Sequence, residues 1–431
     1  MANHRTPYPP VFWVANLIEV IERFAYYGIY FGFGIYMQSL GYSRGDLGFV
    51  QSIFLLVSYT VPVISGSFAD RYGFKTVLIV SYLAYLPSVV LLMFVKSLSG
   101  IALTMLCIGF AAGIFKPLIS GTVRAVTDKS NKTLGFGIFY AMVNVGGSFG
   151  PIVAGRLRAL SWNQAFGVMA ASIVVMLLVT IFFYKEPPRE TQGVTLKEKL
   201  REIGVVLSDL KFTSFLILLG LFFWLPFWAF FNLCAVYVDS NVDTAELYAS
   251  LSGIPLIGFL ARHVLSQEVD GVRRILGETI SHTGYIIMIL QIFVSRFIER
   301  FAAIPSFMFG LLVAAVGFVF LGLAGSGAAV LVFLGIFFFA VGEMIASPRI
   351  QEYITWIAPK EKAGLYMGAN FLAVGLGGFT SGFTYTSWSG YFIDQGNPQY
   401  IWYLLAAHFV VAILVITAFT KTFGEFKELE A

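Results

Sequence analysis

The sequence predicts an all-α integral membrane protein with twelve transmembrane helices in two six-helix bundles. Three observations carry this expectation. Of 431 residues, 58% are hydrophobic and 12% charged, about half the charged share of soluble domains, and the mean hydropathy is +0.81. The apolar runs are continuous over roughly 20 residues or more, as membrane helices require, and do not alternate over about ten as barrel strands do. One long hydrophilic stretch, 185–211, then divides the spans into two equal sets.

The spans read, in order, 12–37, 46–69, 75–95, 99–126, 134–160, 165–184, 212–238, 278–298, 302–324, 328–349, 362–388 and 398–421. The first follows a short proline-containing start. It is too long and too charged for a signal peptide, and no small-residue cleavage site follows it, so it is expected to stay in the protein. Lysines and arginines concentrate in alternate loops: Arg71 and Lys75, then Arg124, Lys129 and Lys132, then Lys185 to Lys211, then Arg296 and Arg300, then Lys360 and Lys362. The opposite loops are sparser, with Arg44, Lys96, Arg156 and Arg158. Positive charge collects on the cytoplasmic face, so both termini are expected there, in a cell membrane.

The expected organisation is a bundle at 1–184, a cytoplasmic linker at 185–211 and a second bundle at 212–431. Within the linker, the amphipathic spacing from Thr195 to Leu207 predicts a surface-lying helix. Segment 239–277 reads either as an external excursion or as a partly inserted helix. The net charge of +4 follows from loop lysines and arginines and gives no reason to expect a nucleic-acid partner. Cys107 and Cys234 lie in apolar spans without metal spacing and read as buried free thiols; His282 and His408 read as packing or interfacial residues.

The first span holds the strongest chemical signal. Glu19, Glu22 and Arg23 place three charges inside an apolar run, each costing about 2.5–3.5 kcal/mol near a bilayer centre. With Tyr26, Tyr27 and Tyr30 they fall on one arc of about 140° at helical spacing. Such a stripe must face protein or water. Two acids sharing one arginine cannot both be well neutralised, so one of them is suited to hold and release a proton.

A short repeat supports two related halves: Gly66-Ser-Phe-Ala-Asp70-Arg71 closes the second span, and Ser295-Arg-Phe-Ile-Glu299-Arg300 closes the eighth. Parallel six-span repeats around a central linker are the layout of major-facilitator transporters. The Asp70-Arg71-Tyr-Gly73-Phe-Lys75 loop resembles that superfamily's signature. Glu19-Val-Ile-Glu22-Arg23-Phe-Ala-Tyr26-Tyr27-Gly28 resembles, more specifically, the signature of its proton-dependent oligopeptide transporter branch. Gly113-Ile-Phe-Lys116-Pro117, Phe139-Tyr140-Ala-Met-Val-Asn144-Val-Gly146, Glu343-Met-Ile-Ala-Ser347-Pro348 and Met367-Gly-Ala-Asn-Phe371-Leu are similar to further motifs of that branch, in the same order.

The resemblance implies a proton symporter working by alternating access. Glu19, Glu22 and Arg23 would couple protons. Tyr26, Tyr27, Tyr59, Lys116 and Asn144 would line the substrate site from the first half, and Glu343 from the second; Tyr30 and Trp224 are expected to contact the substrate as well. Asp70 and Arg71 would belong to a cytoplasmic latch, and Lys116 with Glu343 to an inner gate. Spans six to eight match the pattern poorly, and the span-eight Asn-Pro of the family is not evident. Tyr30 in span one stands where relatives usually carry arginine, and no acid lies between Lys211 and Asp239 where a span-seven glutamate is usual. Losing both members of a pair is less costly than orphaning one. The paired loss points to an outer gate rewired through aromatics such as Tyr30, Trp224 and Trp228.

The expected function is proton-coupled uptake of small peptides or peptide-like solutes. The alternative is transport of a non-peptide organic solute: an amino acid derivative, organic anion or drug. No cofactor or metal is expected, nor any enzyme activity, since no ligand cluster, nucleophile elbow or phosphate loop appears. The partners are substrate, protons and lipid, and a monomer is expected.

Overall fold

The computed structural model describes residues 7–128, 131–187, 196–269, 271–325, 327–358, 363–424 and 426. They are helical apart from connections and one hairpin. The helices are α1 (Pro10–Ser39), α2 (Arg44–Thr60), α3 (Pro62–Tyr72), α4 (Phe74–Leu91), α5 (Leu98–Ala125), α6 (Lys132–Arg158), α7 (Trp162–Phe183), α8 (Leu196–Leu207), α9 (Leu210–Leu219) and α10 (Leu225–Asn241). After them come α11 (Thr244–Ser252), α12 (Ile257–Leu260), α13 (Gly277–Ile280), α14 (Gly284–Ile298), α15 (Ala303–Ala324), α16 (Leu331–Trp356), α17 (Ala363–Ser381), α18 (Ser387–Asp394) and α19 (Tyr400–Phe423).

The hydropathy-based spans coincide with these helices to within a few residues, except that the tenth runs on seven residues further, to Trp356, and the eleventh six further, to Asp394; the breaks within spans have local causes. The second span is divided because Pro62 cannot donate the backbone bond that would join α2 to α3. The seventh and eleventh spans are continuous through π-helical turns at Gly220–Trp224 and Gly382–Thr386. The eighth begins as the single turn α13 and restarts at Gly284. Among the described residues, ten helical segments are long and apolar enough to cross a membrane. α1 has the length but carries three charges mid-helix.

Segment 239–277 holds α11, α12 and an antiparallel hairpin, β1 (Ser266–Val269) with β2 (Val272–Ile275). Its longest complete helix has nine residues, too short to span a bilayer. α8 lies where the sequence predicts the amphipathic helix, with Ile203 and Val206 buried and most other positions exposed.

Two compact units divide the chain: Met1–Tyr30 with Ile53–Glu202, and Phe31–Ser52 with Ile203–Ala431. In the first, α4 packs on α5 and α7. α6 meets α1 backbone to backbone: a Cβ on Gly146 would sit 2.2 Å from the Val20 carbonyl, and one on Gly150 2.2 Å from that of Phe24. Glycine is required at both. The crossing sets α6 beside Arg23.

The second unit is built on aromatic packing, with Phe230 stacked on Phe339 at 3.8 Å and Phe318 on Phe409 at 5.3 Å. The ends of α1 and α2 that belong to this unit are fixed by uncharged hydrogen bonds. Gln51 Nε2 donates to the Asn232 carbonyl at 3.2 Å, and Gln51 Oε1 accepts from Thr386 Oγ1 at 3.0 Å. Asn232 Nδ2 donates to Ser381 Oγ at 2.9 Å. A Cβ on Gly48 would lie 2.3 Å from the Gly382 carbonyl, so this crossing also needs glycine.

Candidate functional site

The α1 stripe is an ion cluster inside the first unit. Arg23 Nε donates to Glu19 Oε1 at 2.7 Å, one turn away, and Arg23 Nη1 lies 3.4 Å from Glu22 Oε2. Both carboxylates are fully buried. Glu19 Oε2 and both Glu22 oxygens have no hydrogen-bond partner among the described residues. Buried oxygens left unpaired are costly, and such groups mark a switch, a missing water or a proton site.

Lys116, on α5 just before Pro117, joins the cluster through α2. Its Nζ donates to Ser58 Oγ at 2.7 Å and to the Ser58 carbonyl at 3.1 Å, and it stands 3.6 Å over the Tyr59 ring. Tyr26 lies between the cations: the Arg23 guanidinium is 6.0 Å and the Lys116 ammonium 5.1 Å from its ring centre. The Tyr26 hydroxyl is 3.4 Å from Ser58 Oγ. Lys116 is also within electrostatic reach of Glu19 and Glu22. Two carboxylates and two cations therefore share one buried region. Fully ionised, they sum to zero.

The sequence reasoning missed Ser58, which is fully buried and serves both Tyr26 and Lys116. A serine in an apolar span carries no signal of its own; its neighbour Tyr59 was the only pointer.

The other sequence-predicted residues are placed as follows. Tyr27 meets Tyr26 edge-on at 5.2 Å. Tyr30 is buried and stacks on Tyr26 at 6.0 Å and Phe54 at 5.7 Å, with no cation in its place. Asn144 Nδ2 donates to the Tyr140 carbonyl one turn back on α6, at 2.9 Å. Trp224, in the second unit, packs on Phe223 and Phe227 at 4.6 and 5.2 Å, and its Nε1 has no partner among the described residues. Trp228 packs against Phe227 and Phe231. Glu343 lies near the Thr283 side chain, and its Oε2 has no hydrogen-bond partner among the described residues. Arg71 lies over Tyr72 at the exposed end of α3; the side chain of Asp70 falls outside the described residues.

The structure thus brings together Glu19, Glu22, Arg23, Tyr26, Tyr27, Tyr30, Tyr59 and Lys116 in the first unit. Trp224 and Glu343 sit in the second. Both cysteines are free; Cys234 is buried as expected, but Cys107 is only half-buried. His282 packs between Phe31 and Tyr285, and His408 hydrogen-bonds Tyr385 and the Leu221 carbonyl. Among the described residues, no three His, Cys, Asp or Glu side chains are grouped to hold a metal ion.

Comparison with known proteins gives a consistent architecture. The Major Facilitator Superfamily profile matches residues 15–382. The quinolone resistance protein NorA of Staphylococcus aureus (strain N315) is 22% identical over 228 residues, 52% of this chain; the chain spans 58% of that relative's length. A solved POT family transporter in complex with 5-aminolevulinic acid superposes with a TM-score of 0.74 at 18% identity, covering 96% of each chain. The nucleoside transporter NupG superposes with a TM-score of 0.75 at 14% identity, covering 95% of this chain and 99% of its own. These superpositions establish the fold.

Proposed function

The chain belongs to the Major Facilitator Superfamily, and from that premise we propose that it is a proton-coupled symporter of small peptides or peptide-like solutes, working by alternating access. The observation that carries this reading is the buried group of Glu19, Glu22, Arg23 and Lys116 around Tyr26. Fully ionised, the group is neutral. One added proton leaves it with a net positive charge, which attracts a solute carboxylate. Loading proton and carboxylate together restores neutrality, so the two favour travelling as a pair. A proton crossing with the membrane potential supplies about 2.3 kcal/mol per 100 mV.

The same reading takes α1 and the continuous helix 363–394 as spans beside the ten apolar ones, giving twelve. The six-plus-six division falls at the linker, with both termini cytoplasmic and a monomeric transporter in the cell membrane. Tyr26, Tyr27, Tyr30, Tyr59, Lys116 and Asn144 are proposed to contact the solute from the first half, and Trp224 and Glu343 from the second. In the structure Lys116 is held by Ser58, and Glu343 lies near Thr283. A Lys116–Glu343 inner gate is proposed for another step of the cycle, and Asp70 with Arg71 for a cytoplasmic latch.

A second reading, a non-peptide organic solute, is favoured by Tyr30. An aromatic stacked on Tyr26 and Phe54 offers no charge to a peptide carboxylate. The matched relatives whose names specify quinolone resistance and 5-aminolevulinic acid widen the solutes to test.

Purified protein in liposomes, given an inward pH gradient, is offered labelled di- and tripeptides, 5-aminolevulinic acid and a quinolone. Concentrative peptide uptake that a protonophore abolishes supports the main reading. Concentration of another solute alone selects the second. Movement of every solute indifferent to the gradient refutes proton coupling.

A further inference from the structure

The turn joining α14 to α15 carries the second copy of the acid–arginine repeat, Glu299-Arg300, which the symport reading leaves unused. Beside it, within the second unit, lies an apolar groove of about 290 Å³. Phe297 and Ile298 of α14, Phe301 of the turn, and Pro305, Ser306 and Phe309 of α15 line it. Phe297, Phe301 and Phe309 are each half-exposed or more. The Phe297 and Phe301 rings meet at 5.6 Å and make one wall. The Ser306 hydroxyl is shielded, so the groove offers hydrocarbon alone. Its shape is fixed from behind. Arg349 Nη2 donates to the Phe301 carbonyl, and Arg349 Nη1 is spent on Glu352 at 2.6 Å.

One rim of the groove is basic. Arg296 and Arg300 are exposed, each one residue before a lining phenylalanine. No hydrogen bond or ion pair ties either of them to another described residue. The backbone stays α-helical at Glu299, so at about 100° per residue the two arginines stand roughly 40° apart. Glu299 stands roughly 160° from Phe297 on the same wheel, and it pairs with neither arginine. Exposed Ile289, Ile292 and Phe293 continue the apolar stripe along α14, away from the turn. Hydrocarbon therefore runs along the helix, and two free guanidinium groups stand at its end. Long basic side chains reach lipid phosphates from an apolar stem, and basic clusters at the ends of membrane helices favour anionic headgroups.

We propose that this groove is a site for one anionic phospholipid, with an acyl chain against Phe297, Phe301 and Phe309 and the headgroup held by Arg296 and Arg300. Both parts of the lipid are needed. A zwitterionic lipid brings the same chain, but its ammonium offsets the phosphate charge that the arginines attract. A soluble phosphate meets the arginines and gains nothing from the groove. This assignment goes beyond the transport reading and does not depend on which solute is carried.

The test is native mass spectrometry of the purified protein in detergent, titrated with dioleoylphosphatidylglycerol or dioleoylphosphatidylcholine, which share their chains. One basic residue near a lipid surface favours acidic lipid about fivefold, and two together about 25-fold. The first phosphatidylglycerol is expected to bind more tightly than the first phosphatidylcholine by about that factor. Arg296→Gln with Arg300→Gln should abolish the preference and leave phosphatidylcholine binding unchanged. Phe297→Ala with Phe309→Ala should weaken both lipids alike, several-fold. Equal affinity for the two lipids, a preference that survives the arginine changes, or displacement of phosphatidylglycerol by inorganic phosphate overturns the proposal. If the phenylalanine variant fails to fold, the exposed arginine pair decides alone. Solute uptake is not read, so failure here leaves the symport reading intact, and loss of symport leaves the lipid preference standing.

Discussion

Replacing Glu22 with glutamine isolates the coupling charge while preserving shape. At 3.4 Å from Arg23, Glu22 gains about 5 kcal/mol of Coulomb attraction at an effective dielectric of about 20. Burial costs an ionised carboxylate several kcal/mol, and no hydrogen bond is lost, because neither Glu22 oxygen makes one among the described residues. Folding stability should therefore change by no more than about 1–2 kcal/mol. Transport should change far more. One proton moving through 100 mV and a tenfold gradient supplies roughly 3.7 kcal/mol, a ceiling of about 500-fold accumulation. Glu22→Gln should drop accumulation to the equilibrium ratio while leaving exchange of labelled for unlabelled solute within about threefold of wild type, by counterflow in liposomes. A variant that still concentrates solute against its gradient refutes the assignment of Glu22.

The remaining predictions follow from single contacts. Arg23→Gln leaves Glu19 and Glu22 without their shared guanidinium and should cost about 3–5 kcal/mol, read as a lower Tm and a lower yield of monodisperse protein. Gly146→Val drives a side chain against the Val20 carbonyl; folded yield should fall sharply, whereas Gly137→Ala, at a position with open space around it, should match wild type. Ser58→Ala removes a Lys116 partner and the hydroxyl beside Tyr26. It should weaken apparent solute affinity several-fold with little loss of Tm, since the Ser58 carbonyl still accepts from Lys116.

Much of the fold was legible because each spanning helix must satisfy its own backbone within the bilayer, so every span appears as an apolar run. The proton-coupling candidates were legible for the complementary reason: Glu19, Glu22 and Arg23 interrupt such a run at helical spacing. Breaks inside the runs were less visible. Hydropathy continues across Pro62 and across both π-helical turns, so nothing in an averaged profile marks them. Ser58 and Gln51 were hidden because hydroxyls and amides in apolar spans are commonplace, and their partners lie 58 and 335 positions away. Tyr30 belongs to one unit and both tryptophans to the other, while the residues holding the ends of α1 and α2 in the second unit are neutral amides and hydroxyls.

Composition and local spacing alone determined that this chain crosses a membrane many times and buries an acid–acid–arginine stripe, because both follow from the cost of placing charge and backbone in hydrocarbon. Which groups answer those charges was decided only in three dimensions. Lys116 meets Ser58 and Tyr59, and the ends of α1 and α2 join the second unit. Both depend on helices distant in sequence approaching within hydrogen-bonding range, at crossings whose closeness glycines such as Gly113 and Gly48 permit.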